Sequence, residues 1–208
     1  MQLEQLLAVL ERDGVLLLSD PVLPSVATLV AGGPIGGSWW GHPSGDEIYH
    51  LSNELGDHAD VLVSKLVSAK VTFVHRRLWP AIVAVGSLRA AWQMDGLSDA
   101  ARWLLGQVDE SGHLAWDDIP PILPPDNRPA VAAIRVIEPR LLVLMRQVHT
   151  PTGAHAKELT TWASWADAHG VAAEDPAQAK HELETVLDEL NQRYGAFATL
   201  PWQARRRR

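Results

Sequence analysis

The stretch Asp60–Trp79, DVLVSKLVSAKVTFVHRRLW, limits the possible folds more than any other part of the chain. Val61, Val63, Lys65 and Val67 alternate with Leu62, Ser64 and Leu66. After Ser68-Ala69-Lys70, Val71, Phe73 and His75 alternate with Thr72 and Val74. Period-two alternation places successive side chains on opposite faces of a strand, so two such runs around a short connection predict a β-hairpin. Lys65, Lys70, Arg76 and Arg77 make that hairpin basic. Such cations can neutralise phosphates, or keep an exposed edge strand soluble.

The segments before the hairpin give it a setting. Leu3, Leu6, Leu7 and Leu10 at helical spacing predict a helix over Gln2–Arg12, stopped by Asp13-Gly14. Val15–Leu18 reads as a short strand, and helices are expected over Pro21–Ala31 and Pro43–Leu55. Helix, strand, helix, helix, hairpin is the element order of a winged helix. Pro80–Trp92 is expected to be a connecting helix, its proline suited to a first turn.

A similar order follows. Leu97–Val108 is expected to be a helix with Ser98 as N-cap, Gly112–Trp116 a strand, Asp117–Leu123 a brief helix and Pro129–Glu138 a third helix. Arg140–Thr150 and Ala154–Trp162 are expected to form a second hairpin about Pro151-Thr152-Gly153. A last helix is expected from Pro176 to Arg193, before the terminal Arg205–Arg208, expected as a solvated tail. The expected fold is therefore α+β, with tandem winged-helix-like modules over 1–93 and 94–165. Residues 166–208 add a C-terminal helix and basic tail.

Net charge is −7, which disfavours nucleic acid as a partner, yet its distribution is uneven. Residues 1–59 carry one arginine against eight carboxylates, whereas 60–93 carry five basic residues against one aspartate. Acid dominates again over 94–127, and Arg128, Arg135, Arg140, Arg146 and Lys157 make the next block basic. The third helix of the first half bears Asp46, Glu47 and Glu54, which would repel DNA; that of the second half bears Arg135 and only Glu138. A DNA surface is thus expected mainly over Arg128–Lys157, supported by Lys65, Lys70, Arg76 and Arg77, with Arg135 the choice for base contact.

Other patterns suggest other chemistry. Trp39 and Trp40, between Gly36-Gly37 and Gly41-His42, could form a stacking platform for a ligand or an interface, although most tryptophans serve packing. His42, Asp46, His50 and Glu54 recur every fourth residue, but such a row drifts about 40° per step, so all four cannot meet one metal ion. No metal or cofactor is expected. Gly32-Gly33-Pro34-Ile35-Gly36-Gly37 lacks the lysine and hydroxyl of a phosphate loop. His149, His155 and Glu158 could supply acid–base groups, but no nucleophile motif accompanies them. The chain has no cysteine, which excludes disulfides and thiolate chemistry. The charged N-terminus does not read as a signal peptide, and no apolar run approaches the ~18–20 residues of a membrane span, so a cytoplasmic location is expected.

Three stretches, SWWGHP (Ser38–Pro43), KVTFVHRRLWP (Lys70–Pro80) and QVHTPTGAHAKELTTW (Gln147–Trp162), resemble an uncharacterised bacterial protein family. More distantly, the tandem winged-helix order is similar to the architecture of AlkZ-like DNA glycosylases. The catalytic glutamine motif of those enzymes is not matched: Gln147-Val148-His149 falls in an expected strand, so no catalytic residue carries over. The reading is a non-catalytic DNA-binding protein. The alternative is a protein-interaction or dimerisation module built from winged helices, and the third is a nucleic-acid-processing enzyme.

Overall fold

The computed structural model describes residues 1–149 and 155–203; the second-hairpin turn at 151–153 and Arg205–Arg208 lie outside them. The protein is mixed α+β with small antiparallel sheets. It falls into two compact units, one made of 1–79 with 180–208 and the other of 80–179. The seams expected from the sequence stood at 93 and 165. The C-terminal segment joins the first unit because it is tied there: Arg193 Nη1 donates to Asp13 Oδ1 at 2.6 Å, and Ser68 N to Thr199 O at 2.8 Å.

In the first unit α1 (Leu3–Asp13) buries Leu6 and Leu10 completely and ends at Gly14. With φ +79, Gly14 adopts the left-handed conformation that closes the helix, its N–H donating to Leu10 O at 2.7 Å. β1 (Val15–Leu17) follows, then α2 (Val26–Ala31), α3 (Gly45–Gly56), β2 (Val61–Ser64) and β3 (Thr72–His75). The three strands pair antiparallel in the order β1-β3-β2, with Phe73 opposite both Leu16 and Val63. Ile48, Leu51 and Leu55 of α3 pack with Phe73, Leu6 and Leu10 in one apolar cluster.

Two expectations change here. The second helix begins at Val26 rather than Pro21, because the Asp20 carboxylate accepts from Val22 N and Leu23 N at 2.9 and 2.8 Å and holds a turn. Ser25 then caps α2, exchanging hydrogen bonds with Thr28. The hairpin strands are also shorter than the alternation suggests. Leu66 and Val67 are both 1% exposed, so consecutive side chains point inward and the pleat ends at Ser64. Ser68 and Ala69 take positive φ, and Thr72 Oγ1 accepts from Val67 N at 3.2 Å. The connection is a folded loop anchored to Thr199, rather than a short tight turn.

α4 (Trp79–Gly86) leads into the second unit, which continues with α5 (Ala91–Met94), α6 (Asp99–Ser111), β4 (His113–Ala115), β5 (Ile122–Leu123) and β6 (Arg128–Pro129). α7 (Ala130–Ile137), β7 (Leu144–His149), β8 (His155–Thr160) and α8 (Trp162–His169) complete it. α9 (Pro176–Tyr194) carries the chain back to the first unit. The larger sheet has the order β4-β8-β7, matching β1-β3-β2 in connectivity.

The connecting helix expected over Pro80–Trp92 breaks after Gly86, where Arg89 takes φ +51 and Gln93 holds the turn. The brief helix expected over Asp117–Leu123 is instead a 3-10 turn at Trp116–Asp118, followed by β5 paired to β6. Pro120 and Pro121 explain this: proline lacks the amide proton a helix needs and disfavours helical backbone at the residue before it. α8 went unforeseen although its caps are legible, with Thr161 Oγ1 accepting from Ser164 N at 3.1 Å and Gly170 in the left-handed conformation. Among the described residues no helix is long and apolar enough to cross a membrane.

Candidate functional site

The basic residues singled out in the sequence are largely engaged within the protein. Lys70 Nζ donates to Asp20 Oδ2 at 2.6 Å, Arg76 Nη1 to Asp60 Oδ1 at 3.0 Å, and Arg146 Nε lies 3.1 Å from Glu158 Oε1. Arg128 Nε stands 3.6 Å from Asp126, and Arg140 Nη1 donates to the carbonyls of Gln93 and Asp95 at 3.0 and 2.6 Å. Lys65 is half-buried where the loop leaves β2. Arg77, Arg135 and Lys157 are exposed and have no ionic partner among the described residues.

Two groups at the hairpin have shifted titration. Burial pushes the Asp20 carboxyl up, but Lys70 and the two backbone amides outweigh it and hold the group below its ordinary value. His75 is pushed down by burial, with Arg77 and Arg76 adding to that and Glu11 and Asp60 opposing it. Its Nδ1 accepts from Arg77 N at 3.4 Å, which requires the neutral ring.

A different surface forms around the paired tryptophans. Trp39–Gly41 make a 3-10 turn above the start of α3, and Gly45 permits the approach: a β-carbon there would lie 3.1 Å from the carbonyl oxygens of Trp39 and Trp40. The rings of Trp39 and Trp40 stack with centroids 4.2 Å apart, and Trp40 meets Tyr49 of α3 at 5.6 Å. His50 continues the row edge-on to Tyr49, also at 5.6 Å. Trp39 packs against the core, whereas Trp40 is 65% and Tyr49 44% exposed. Exposed Asp46 and Glu54 lie on the same helix, and Glu47 pairs with the Met1 ammonium at 2.7 Å.

The other candidates take local roles. His42 Nδ1 accepts from Ser44 N at 3.1 Å, which helps to turn the chain into α3. Among the described residues no three His, Asp or Glu side chains are grouped to hold a metal ion. His149 and His155 face each other in the β7–β8 register, their side chains outside the described residues, and Glu158 is taken up by Arg146.

One feature of the first unit has no counterpart among the sequence candidates. The Asp13 carboxylate, with 0% side-chain exposure, accepts from Arg12 Nε at 2.9 Å and Nη2 at 2.7 Å, and from Arg193 Nη1 at 2.6 Å. A cavity of about 390 Å³ opens beside it, lined also by Arg77, Glu182 and Glu189. The Asp13-facing carboxylate bonds push the Arg12 guanidinium above its ordinary value, against the effect of burial. Arg12-Asp13-Gly14 reads in sequence only as a helix end, and no local pattern announces Arg193 beside it.

Comparison with protein-family models, curated proteins and solved structures yields no match for this chain.

Proposed function

We propose that this chain is a non-catalytic binding protein of two winged-helix-like units, and that the first unit uses its third helix to hold a protein partner. Support for the winged-helix reading lies in the repeated order of helix, strand, third helix and two strands. The last strand returns between the other two in both units. The units differ in that the β5–β6 ladder stands where the second helix would be.

The observation that carries the partner assignment is the outward stack of Trp40 on Trp39 and against Tyr49, with exposed Asp46 one turn before Tyr49 and exposed Glu54 further along α3. Exposed aromatic rings clustered on one face form a contact surface. Carboxylates beside them select against phosphate and in favour of a cationic segment, whose arginines can stack on indole while pairing with the acids. In the second unit Val131 and Val136 of α7 are exposed by 43% and 37%.

DNA binding remains the second reading because Arg77, Arg135 and Lys157 lack ionic partners among the described residues. Fluorescence anisotropy with two labelled probes separates the readings: an arginine-glycine repeat peptide and a random-sequence duplex. The protein reading expects the peptide to bind and Trp40→Ala with Asp46→Asn to release it. The DNA reading expects the duplex to bind at ~50 mM salt, with affinity falling steeply as salt rises, and Arg135→Glu to abolish it. A bound duplex together with a peptide indifferent to Trp40→Ala would sink the first reading.

A further inference from the structure

The cavity beside Asp13 has the parts of an oxyanion site. Asp13 is fully enclosed and fixes two guanidiniums at once, so Arg12 and Arg193 are held in place before any ligand arrives. A carboxylate positioning two arginines removes much of the entropy that binding would otherwise cost. Each arginine retains N–H donors that Asp13 does not use.

A third guanidinium reaches the same end. Arg77 lies against the backbone of Gly14, so close that a β-carbon on that residue would stand 2.6 Å from its Nη2 and 3.1 Å from its Cζ. Gly14 follows Asp13 directly, and Arg77 lines the same cavity as Arg12 and Asp13. Arg77 has no ionic partner among the described residues. Two guanidiniums thus share the Asp13 carboxylate, and a third, that of Arg77, lines the same cavity.

The cavity also carries opposite charge on α9. Glu182 precedes Arg193 by eleven residues, which is about 16 Å along a helix axis. Glu189 lies one turn from Arg193, and together the two glutamates disfavour a polyanion. A volume of about 390 Å³ suits a small molecule.

We propose that this cavity binds a small molecule through a single carboxylate or phosphate group, seated among Arg12, Arg77 and Arg193. The fork geometry of guanidinium matches both groups by paired hydrogen bonds. Arg77 is the ligand's own contact, while Arg12 and Arg193 divide their donors between Asp13 and the ligand. The site is independent of the Trp40 surface.

The test follows the arginine Nε–Hε signals of the full chain by NMR during separate titrations with sodium acetate and sodium phosphate at constant ionic strength. The Arg12, Arg77 and Arg193 signals are expected to move together and saturate. Saturation with acetate alone identifies a carboxylate ligand, with phosphate alone a phosphate ligand, and with both a general oxyanion site. Arg77→Gln is expected to weaken the binding about tenfold or more, the loss that follows removal of a charge-assisted hydrogen bond. Should that variant fail to fold, Arg77→Lys keeps the charge and removes the fork, and weaker binding is expected again. Absence of saturable movement with either anion would overturn the proposal, as would unchanged saturation in the folded Arg77 variant.

Discussion

The carboxylate of Asp13 and the guanidinium of Arg193 stand 180 positions apart in the chain and 2.6 Å apart in the structure. Arg12 donates to both oxygens of the same carboxylate, so one enclosed anion joins the end of α1 to the last turn of α9. Two of the arginines that line the cavity, Arg12 and Arg193, are held by this carboxylate.

Asp13→Asn is expected to lower stability by about 2–3 kcal/mol. That is less than the loss from breaking a fully buried pair, because both arginines are half in solvent. Asparagine presents a donor where an acceptor is needed and leaves two guanidiniums beside each other. Chemical denaturation of the two proteins measures the difference. A change within about 0.5 kcal/mol, the range of ordinary surface substitutions, would show that the bridge contributes little.

Acid should release the hairpin loop from Asp20. Its folded-state pKa lies below the ordinary value, so its contribution to stability is complete above about pH 4 and is lost as pH falls through the folded value. Urea midpoints measured from pH 7 downward are expected to fall less steeply on the acid side for Asp20→Asn than for the parent chain. Parallel curves would remove the Lys70–Asp20 pair from the account of acid sensitivity.

Gly86→Ala should damage the second unit. An added methyl would lie 2.6 Å from Trp162 Cδ1, and Trp162 is 2% exposed with its Nε1 donating to Leu141 O at 2.7 Å. An enclosed, hydrogen-bonded indole cannot rotate away, so overpacking of about 1–3 kcal/mol is expected. Thermal unfolding reads it, and an unchanged midpoint would mean that α4 moves aside.

Gln93→Leu tests another buried polar contact of that unit. Gln93 is completely enclosed; its Nε2 donates to Arg140 O and Gly86 O at 3.1 and 3.3 Å, and its Oε1 accepts from Ala90 N at 2.9 Å. Leucine fills similar space and leaves those backbone groups without partners, at a cost of about 2–3 kcal/mol. Faster amide exchange at Ala90 is expected, and equal protection in both proteins would contradict the role assigned to Gln93.

Much of the local structure was legible because its causes are local. Leu6 and Leu10 fix the inward face of α1, Gly14 stops it, and Ser98 Oγ accepts from Ala101 N to start α6. Alternation placed the first hairpin. The boundaries failed where a distant residue intervened: Leu66 and Val67 are both buried and the loop after them is tied to Thr199, so the pleat could not continue. The basic block over 60–93 was visible as charge, but not that Lys70 and Arg76 are spent on Asp20 and Asp60.

By itself the sequence determined where α1, α3, α6, α7 and α9 form, since apolar spacing, caps and turn residues act within a few positions of one another. Only the tertiary structure decided which charges stay available, which rings face outward, and that Asp13 meets Arg193. Ion pairing and burial depend on distance in space, and residues 180 positions apart come within hydrogen-bond reach only after the chain has folded.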